Sequence, residues 1–110
     1  MPATTQPHPT RVDAGLEELF QTLVRQWKEE RGPSSSTTEL AMCPSYQRII
    51  GLGAPVIPLL LRELERAPDH YFWALKAITG ADPVPVASHG KVRDMTRYWI
   101  EWGRQNGYQW

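Results

Sequence analysis

The chain has 110 residues, a length that fits a single domain with one hydrophobic core. Its 12 basic and 12 acidic residues cancel to a formal net charge of zero, so the sequence lacks the basic excess typical of nucleic-acid binders. A single cysteine excludes an intrachain disulfide, and no stretch approaches the roughly 20 apolar residues of a membrane span. We therefore expect a cytoplasmic protein that does not enter membranes and is held together by packing.

The N-terminal residues and the first helix are predicted from their prolines and apolar spacing. Residues 1–11 are rich in Pro and Thr, which favours a disordered tail ahead of one helical domain over residues 12–110. Asp13 is a candidate N-cap, and Gly32 with Pro33 provides the stop. Between them, one continuous helical stripe of apolar residues is formed by Leu16, Leu19, Phe20, Leu23, Val24 and Trp27.

Short helices are predicted between residues 36 and 66. Ser36 and Glu39 match a capping box, which indicates a short helix through Met42. Pro44 and Pro55 suit the first turns of two further helices, because proline lacks an N–H that those positions do not need. The buried face of the second of these helices is predicted to consist of Ile57, Leu60, Leu61 and Leu64.

The remaining chain is predicted to hold helices over residues 70–79 and 91–106, separated by an extended segment. This segment is extended because Pro83 and Pro85 restrict their own backbone and that of the residues before them. No segment alternates apolar and polar residues as a half-buried strand would, so no sheet is predicted. The predicted fold is an all-α bundle of about five helices.

Residues 46–80 resemble a HEAT repeat. They combine a short helix, a turn around Gly51 and Gly53, a helix with the pattern Ile57-Pro58-Leu59-Leu60, and a further helix. The resemblance implies a HEAT-like bundle of packed helix pairs that binds other proteins. Because repeat folds usually need several repeats and only one is clear here, the flanking helices would have to act as caps.

Residues 27–108 are also similar to a group of short uncharacterised bacterial proteins. The shared motifs are Ile-Ile-Gly-x-Gly, Trp-Ala-Leu-x-Ala-Ile-Thr-Gly and Trp-x-x-Trp-Gly, which stand here at Ile49–Gly53, Trp73–Gly80 and Trp99–Gly103. The chain departs from the group at Tyr71, where the resemblance leads us to expect Trp. The resemblance implies membership of the group and carries no activity with it.

The candidates for catalysis or metal binding have simpler structural interpretations. Cys43 with His70 or His89 could supply a nucleophile and a base, but a lone cysteine is more often a small apolar filler. Asp69 with His70 could form a dyad, but a helix cap beside an exposed histidine is the favoured interpretation. The three histidines and the cysteine match no compact zinc site. We therefore predict no enzyme activity, no metal and no cofactor.

The aromatic residues are the main candidates for contact with a partner. Trp73 projects from the side of its helix opposite to the apolar stripe, and aromatic residues dominate the energetics of interfaces. The sequence leaves open whether the last helix covers Trp73. The predicted partner-binding residues are Trp73, Tyr71, Pro83, Val84, Pro85, Tyr108 and Trp110.

The leading hypothesis is a non-catalytic protein–protein interaction module. It could be an adaptor, an antitoxin or immunity-type protein, or a small subunit of a larger bacterial assembly, and its partner could be another protein or a second copy in a homodimer. One alternative is a nucleic-acid-associated protein that uses Arg93, Arg97 and Arg104, which share a face of the last helix. The other is a small enzyme that uses Cys43 or the Asp69–His70 pair.

Overall fold

The computed structural model describes residues 14–33 and 36–110, and within these ranges the backbone is helical with no strand. Short 3₁₀ turns, Ala54–Val56 and Val86–Ser88, precede the fourth and sixth helices. The α-helices of this described part are α1 (Ala14–Arg31), α2 (Thr37–Met42), α3 (Pro44–Leu52), α4 (Ile57–Arg66), α5 (Phe72–Thr79) and α6 (Val92–Gln105).

The all-α prediction is confirmed, with six helices in the described ranges where about five were predicted. The separate helices predicted before and after Cys43 correspond to α2 and α3, since Cys43 has extended backbone angles and Pro44 starts a new helix after it. The tail predicted over residues 1–11 lies outside the described residues. None of the helices in the described ranges has the length and apolar character needed to cross a bilayer.

Trp27 is one of the largest fully buried side chains of the apolar core, to which all of these helices contribute. Its side chain is fully buried, and its ring lies 5.2 Å from the ring of Tyr46 and 5.4 Å from that of Tyr71. The indole N–H donates a 2.8 Å hydrogen bond to the backbone carbonyl of Leu40 in α2. One side chain of α1 therefore contacts α2, α3 and the residue that precedes α5.

Tyr46 connects α3 to the first turn of α5 by hydrogen bonds of its hydroxyl. The hydroxyl accepts a 2.8 Å bond from the backbone N–H of Ala74 and donates a 3.0 Å bond to the carbonyl of His70. The first N–H groups of a helix have no partner within that helix, and the residue preceding α5 supplies no side-chain cap. Burial raises the pKa of Tyr46, so the hydroxyl keeps the proton that it donates.

An ion pair joins the end of α1 to the loop before α5. The guanidinium of Arg31 lies 2.8 Å from the carboxylate of Asp69 and 4.4 Å above the ring of Trp27. The same carboxylate accepts a 2.7 Å bond from the backbone N–H of His70. Burial alone would raise the pKa of Asp69, but the hydrogen bonds from Arg31 and the His70 N–H outweigh it, so the pKa lies below its ordinary value.

We predict that Tyr46→Phe lowers the free energy of unfolding by about 1–3 kcal/mol, because it leaves the buried Ala74 N–H without a partner. Urea denaturation at neutral pH would measure the change. The matched control is Tyr98→Phe, which removes a hydroxyl that makes no hydrogen bond in the described ranges and should change stability by less than about 0.5 kcal/mol. Equal effects of the two substitutions would contradict the capping role of Tyr46.

Candidate functional site

Helix α5 buries one side and exposes the other. Ala74 and Leu75 are completely buried, and Trp73 on the opposite side is 39% exposed. Successive residues of a helix are about 100° apart, so the rotation that buries Tyr71, Ala74 and Leu75 turns Trp73 outward. The structure therefore resolves what the sequence left open: α6 does not cover Trp73 completely.

Trp73 forms one wall of a groove between α5, the proline-rich segment of residues 82–86, and α6. The groove has a volume of about 590 Å³. Its walls are mainly apolar, because Phe72 of α5 and Met95 and Trp99 of α6 meet there. Their side chains are buried or half-buried. We define the Trp73 groove by six of its lining residues: Phe72, Trp73, Lys76, Val84, Met95 and Trp99.

The proline-rich segment contributes part of the groove wall. Val84 is only 6% exposed and belongs to the core, whereas Pro83 is half-buried and Pro85 is exposed. Pro85 has φ −63° and ψ 151°, the backbone angles of a polyproline II helix. Val86, two residues after Val84, has 83% of its surface exposed. The segment therefore buries the side chain of Val84 and exposes that of Val86.

The charged groups of the groove neutralise each other. The ammonium of Lys76 lies 3.3 Å from the carboxylate of Asp82, and both side chains are largely exposed. His89, also exposed, lines the groove beyond them. An exposed ion pair of this kind contributes little to stability. It leaves the groove without a strong field of either sign.

Tyr71 does not belong to this surface, although the sequence placed it among the partner-binding residues. The side chain is 1% exposed and packs against Trp27, so it is a core residue. Its hydroxyl forms no hydrogen bond to the described residues, and burial raises the pKa of that hydroxyl above its ordinary value. Tyr71 thus lies in the core beside Trp27, and the structure does not place it on the surface with Trp73.

The C-terminal aromatic residues fold back onto the bundle. Tyr108 stacks on Trp102 with ring centroids 5.5 Å apart, and the Trp110 indole N–H donates a 2.9 Å bond to Glu65 of α4. The ring of Trp110 lies over Gly103, where an added Cβ would be 3.1 Å from the ring. Both residues were predicted to bind a partner, and that role stays a prediction. The structure shows that they contact the bundle and remain partly exposed.

The residues considered for catalysis are engaged in other contacts. The carboxylate of Asp69 bonds to Arg31 and to the backbone N–H of His70, so these bonds do not form an Asp–His dyad. The Cys43 thiol lies 3.5 Å from the carbonyl of Glu39, within its own turn of chain. Among the described residues, no group of three or more His, Cys, Asp or Glu side chains could hold a metal ion.

The arginines of α6 are partly neutralised. Arg104 forms a 2.9 Å ion pair with Glu65, and Arg97 lies 3.7 Å from Asp94. Arg93 is exposed and forms no ion pair within the described ranges. The face that these three arginines share is therefore not a continuous positive stripe, which weakens it as a surface for phosphates.

Sequence reasoning missed that Met95 and Trp99 line a groove. They are four residues apart on one apolar face of α6, which is typical of core residues, and Trp99 is only 2% exposed. The surface that they show depends on how α6 sits against α5, which no local pattern encodes.

No protein-family model, curated protein or solved structure matches the chain.

We predict that Gly103→Ala lowers the free energy of unfolding by about 1–3 kcal/mol, because overpacking forces neighbouring groups to move. The new Cβ would lie 2.6 Å from a methyl of Leu61, which is completely buried, and 3.1 Å from the Trp110 ring. Chemical denaturation would measure the loss.

Gly51→Ala is the matched control, since Gly51 is also helical but faces open space. It should be neutral or stabilising by up to about 1 kcal/mol, because alanine favours the helix. A Gly103→Ala protein as stable as the Gly51→Ala protein would show that the close packing of the C-terminal residues does not matter.

Proposed function

We propose that the chain is a non-catalytic protein–protein interaction module and that the Trp73 groove binds its partner. The observation that carries this proposal is the 39% exposure of Trp73 on the wall of an apolar groove. Tryptophan contributes large interface energies when a partner removes it from water. Three other side chains of the groove wall, Phe72, Val84 and Trp99, belong to the buried core, so this part of the wall is formed before any partner arrives.

The chemistry of the groove supports binding over catalysis. Enzyme sites bring a nucleophile, a base and an orienting group within hydrogen-bond distance of one another. Here the charged groups Lys76 and Asp82 pair with each other at the surface. Such a module could be an adaptor, an antitoxin or immunity-type protein, or a small subunit of a bacterial assembly. The HEAT-like pattern of residues 46–80 is in keeping with them.

A photo-crosslinking experiment tests this proposal. A benzophenone amino acid would replace Trp73 in one version of the chain and Arg25, an exposed residue of α1, in the other. In cells of the natural host, we expect a discrete adduct with another protein from position 73 and none from position 25. An excess of unmodified chain should suppress the adduct, and an excess of a Trp73→Ala chain should suppress it far less.

The absence of any adduct at position 73, or the same set of adducts at both positions, would contradict the proposal. The Trp73→Ala chain is a usable competitor because Trp73 lies outside the buried core. Circular dichroism of this variant would verify that the helices are retained.

A further inference from the structure

Helices α4 and α6 leave a notch where they pack together, and the side chain of Trp110 lies in it. An added Cβ at Gly103 would be 2.6 Å from a methyl group of Leu61 and 3.1 Å from the Trp110 ring, so the missing side chain leaves room for the indole. Glu65 of α4 and Arg104 of α6 also contact the indole. We define the Gly103 notch by four residues of the two helices: Leu61, Glu65, Gly103 and Arg104.

The groups around the notch match an indole more closely than another apolar ring. The Glu65 carboxylate accepts a 2.9 Å hydrogen bond from the Trp110 indole N–H. The guanidinium carbon of Arg104 lies 5.5 Å from the centre of the same ring, within the roughly 6 Å at which a cation attracts a ring face. Leu61, which is completely buried, supplies the apolar contact. Phenylalanine and leucine lack the N–H donor, so the notch favours tryptophan.

Few contacts hold Trp110 in the notch. The backbone hydrogen bonds that follow α6 end at Tyr108, whose N–H donates a 2.9 Å bond back into the last turn of the helix. No backbone hydrogen bond holds Trp110 to the described residues. When the indole leaves, Glu65 keeps its 2.9 Å ion pair with Arg104, so its exposed carboxylate retains a partner. Trp110 can therefore leave while the helices and this ion pair stay in place.

We infer that Trp110 is a displaceable occupant of the Gly103 notch and that a tryptophan side chain of a partner protein binds there in its place. The partner's indole N–H donates to Glu65, and its ring lies over the backbone of Gly103 beside the guanidinium of Arg104. Trp110 competes with this side chain from within the same molecule. The notch shares no residue with the Trp73 groove, so the inference does not depend on the function proposed for that groove.

An NMR titration of the full 110-residue chain and of its Trp110→Ala variant tests the inference. The probe is the blocked tripeptide Gly-Trp-Gly, and the comparison peptide is Gly-Phe-Gly, which has a ring without an N–H. We expect the Trp peptide to bind the variant about tenfold more tightly than the unmodified chain, because the tethered Trp110 acts as a competitor at roughly millimolar effective concentration. The Gly103 amide resonance should shift, and the Trp73 indole resonance should stay in place.

The acceptor of the indole N–H provides a second variant. Glu65→Ala, combined with Trp110→Ala, should weaken binding of the Trp peptide about fivefold to tenfold, because the N–H loses its charged acceptor. Glu101→Ala in the same background is the matched control, since Glu101 is an exposed carboxylate of α6 without an ion pair to the described residues. It should leave binding unchanged. Circular dichroism would verify that each variant keeps its helices.

The inference is overturned if the Trp110→Ala variant shows no saturable shift at millimolar peptide, or if the Phe peptide binds this variant as tightly as the Trp peptide. In the unmodified chain, saturation should move the Trp110 indole resonance toward that of a free indole. A Trp110 resonance that stays in place at saturation would also overturn the inference, because the peptide would then be bound elsewhere. A shift confined to Trp73 would do the same and would assign the peptide to the Trp73 groove.

Discussion

The burial of Trp27 is the contact that joins α1, α2, α3 and the start of α5. Its ring packs against Tyr46 and Tyr71, its N–H bonds to the carbonyl of Leu40, and Arg31 lies over its outer face. The flanking hydroxyl of Tyr46 then fixes the first turn of α5. Because a helix is rigid over its short length, fixing that turn sets the rotation of α5 about its axis. The outward direction of Trp73 is thus a consequence of the core.

The packing of the core leaves Trp73 available for contact. The core closes over Ala74 and Leu75, and Trp73 adds only part of its ring to the groove wall. An exposed tryptophan leaves apolar surface in water without strengthening the core. The proposed partner would remove this surface from water, which is a physical reason for the exposed position. The groove is also preformed, because Val84 and Trp99 are held by the core. Binding to a preformed surface requires little ordering of the protein.

Much of the fold could be predicted from the sequence because it is encoded locally. The apolar stripe of α1 and the proline that opens α3 follow from helical spacing and backbone chemistry. The contacts between distant residues could not be predicted in this way. Tyr46 caps a helix 28 positions away, and Trp110 lies over Gly103 because no side chain stands there. The contact of Tyr71 with the ring of Trp27 could not be predicted from spacing either.

Hydrogen exchange of the tryptophan indole N–H groups tests the central claim most directly, because it reports the interior position of Trp27 and the exterior position of Trp73 in one experiment. The account predicts that the Trp27 N–H, bonded to the Leu40 carbonyl at full burial, exchanges only through large-scale unfolding, whereas the Trp73 N–H exchanges nearly as fast as a free indole. Rapid exchange at Trp27, or protection of Trp73 equal to that of Trp27, would contradict it.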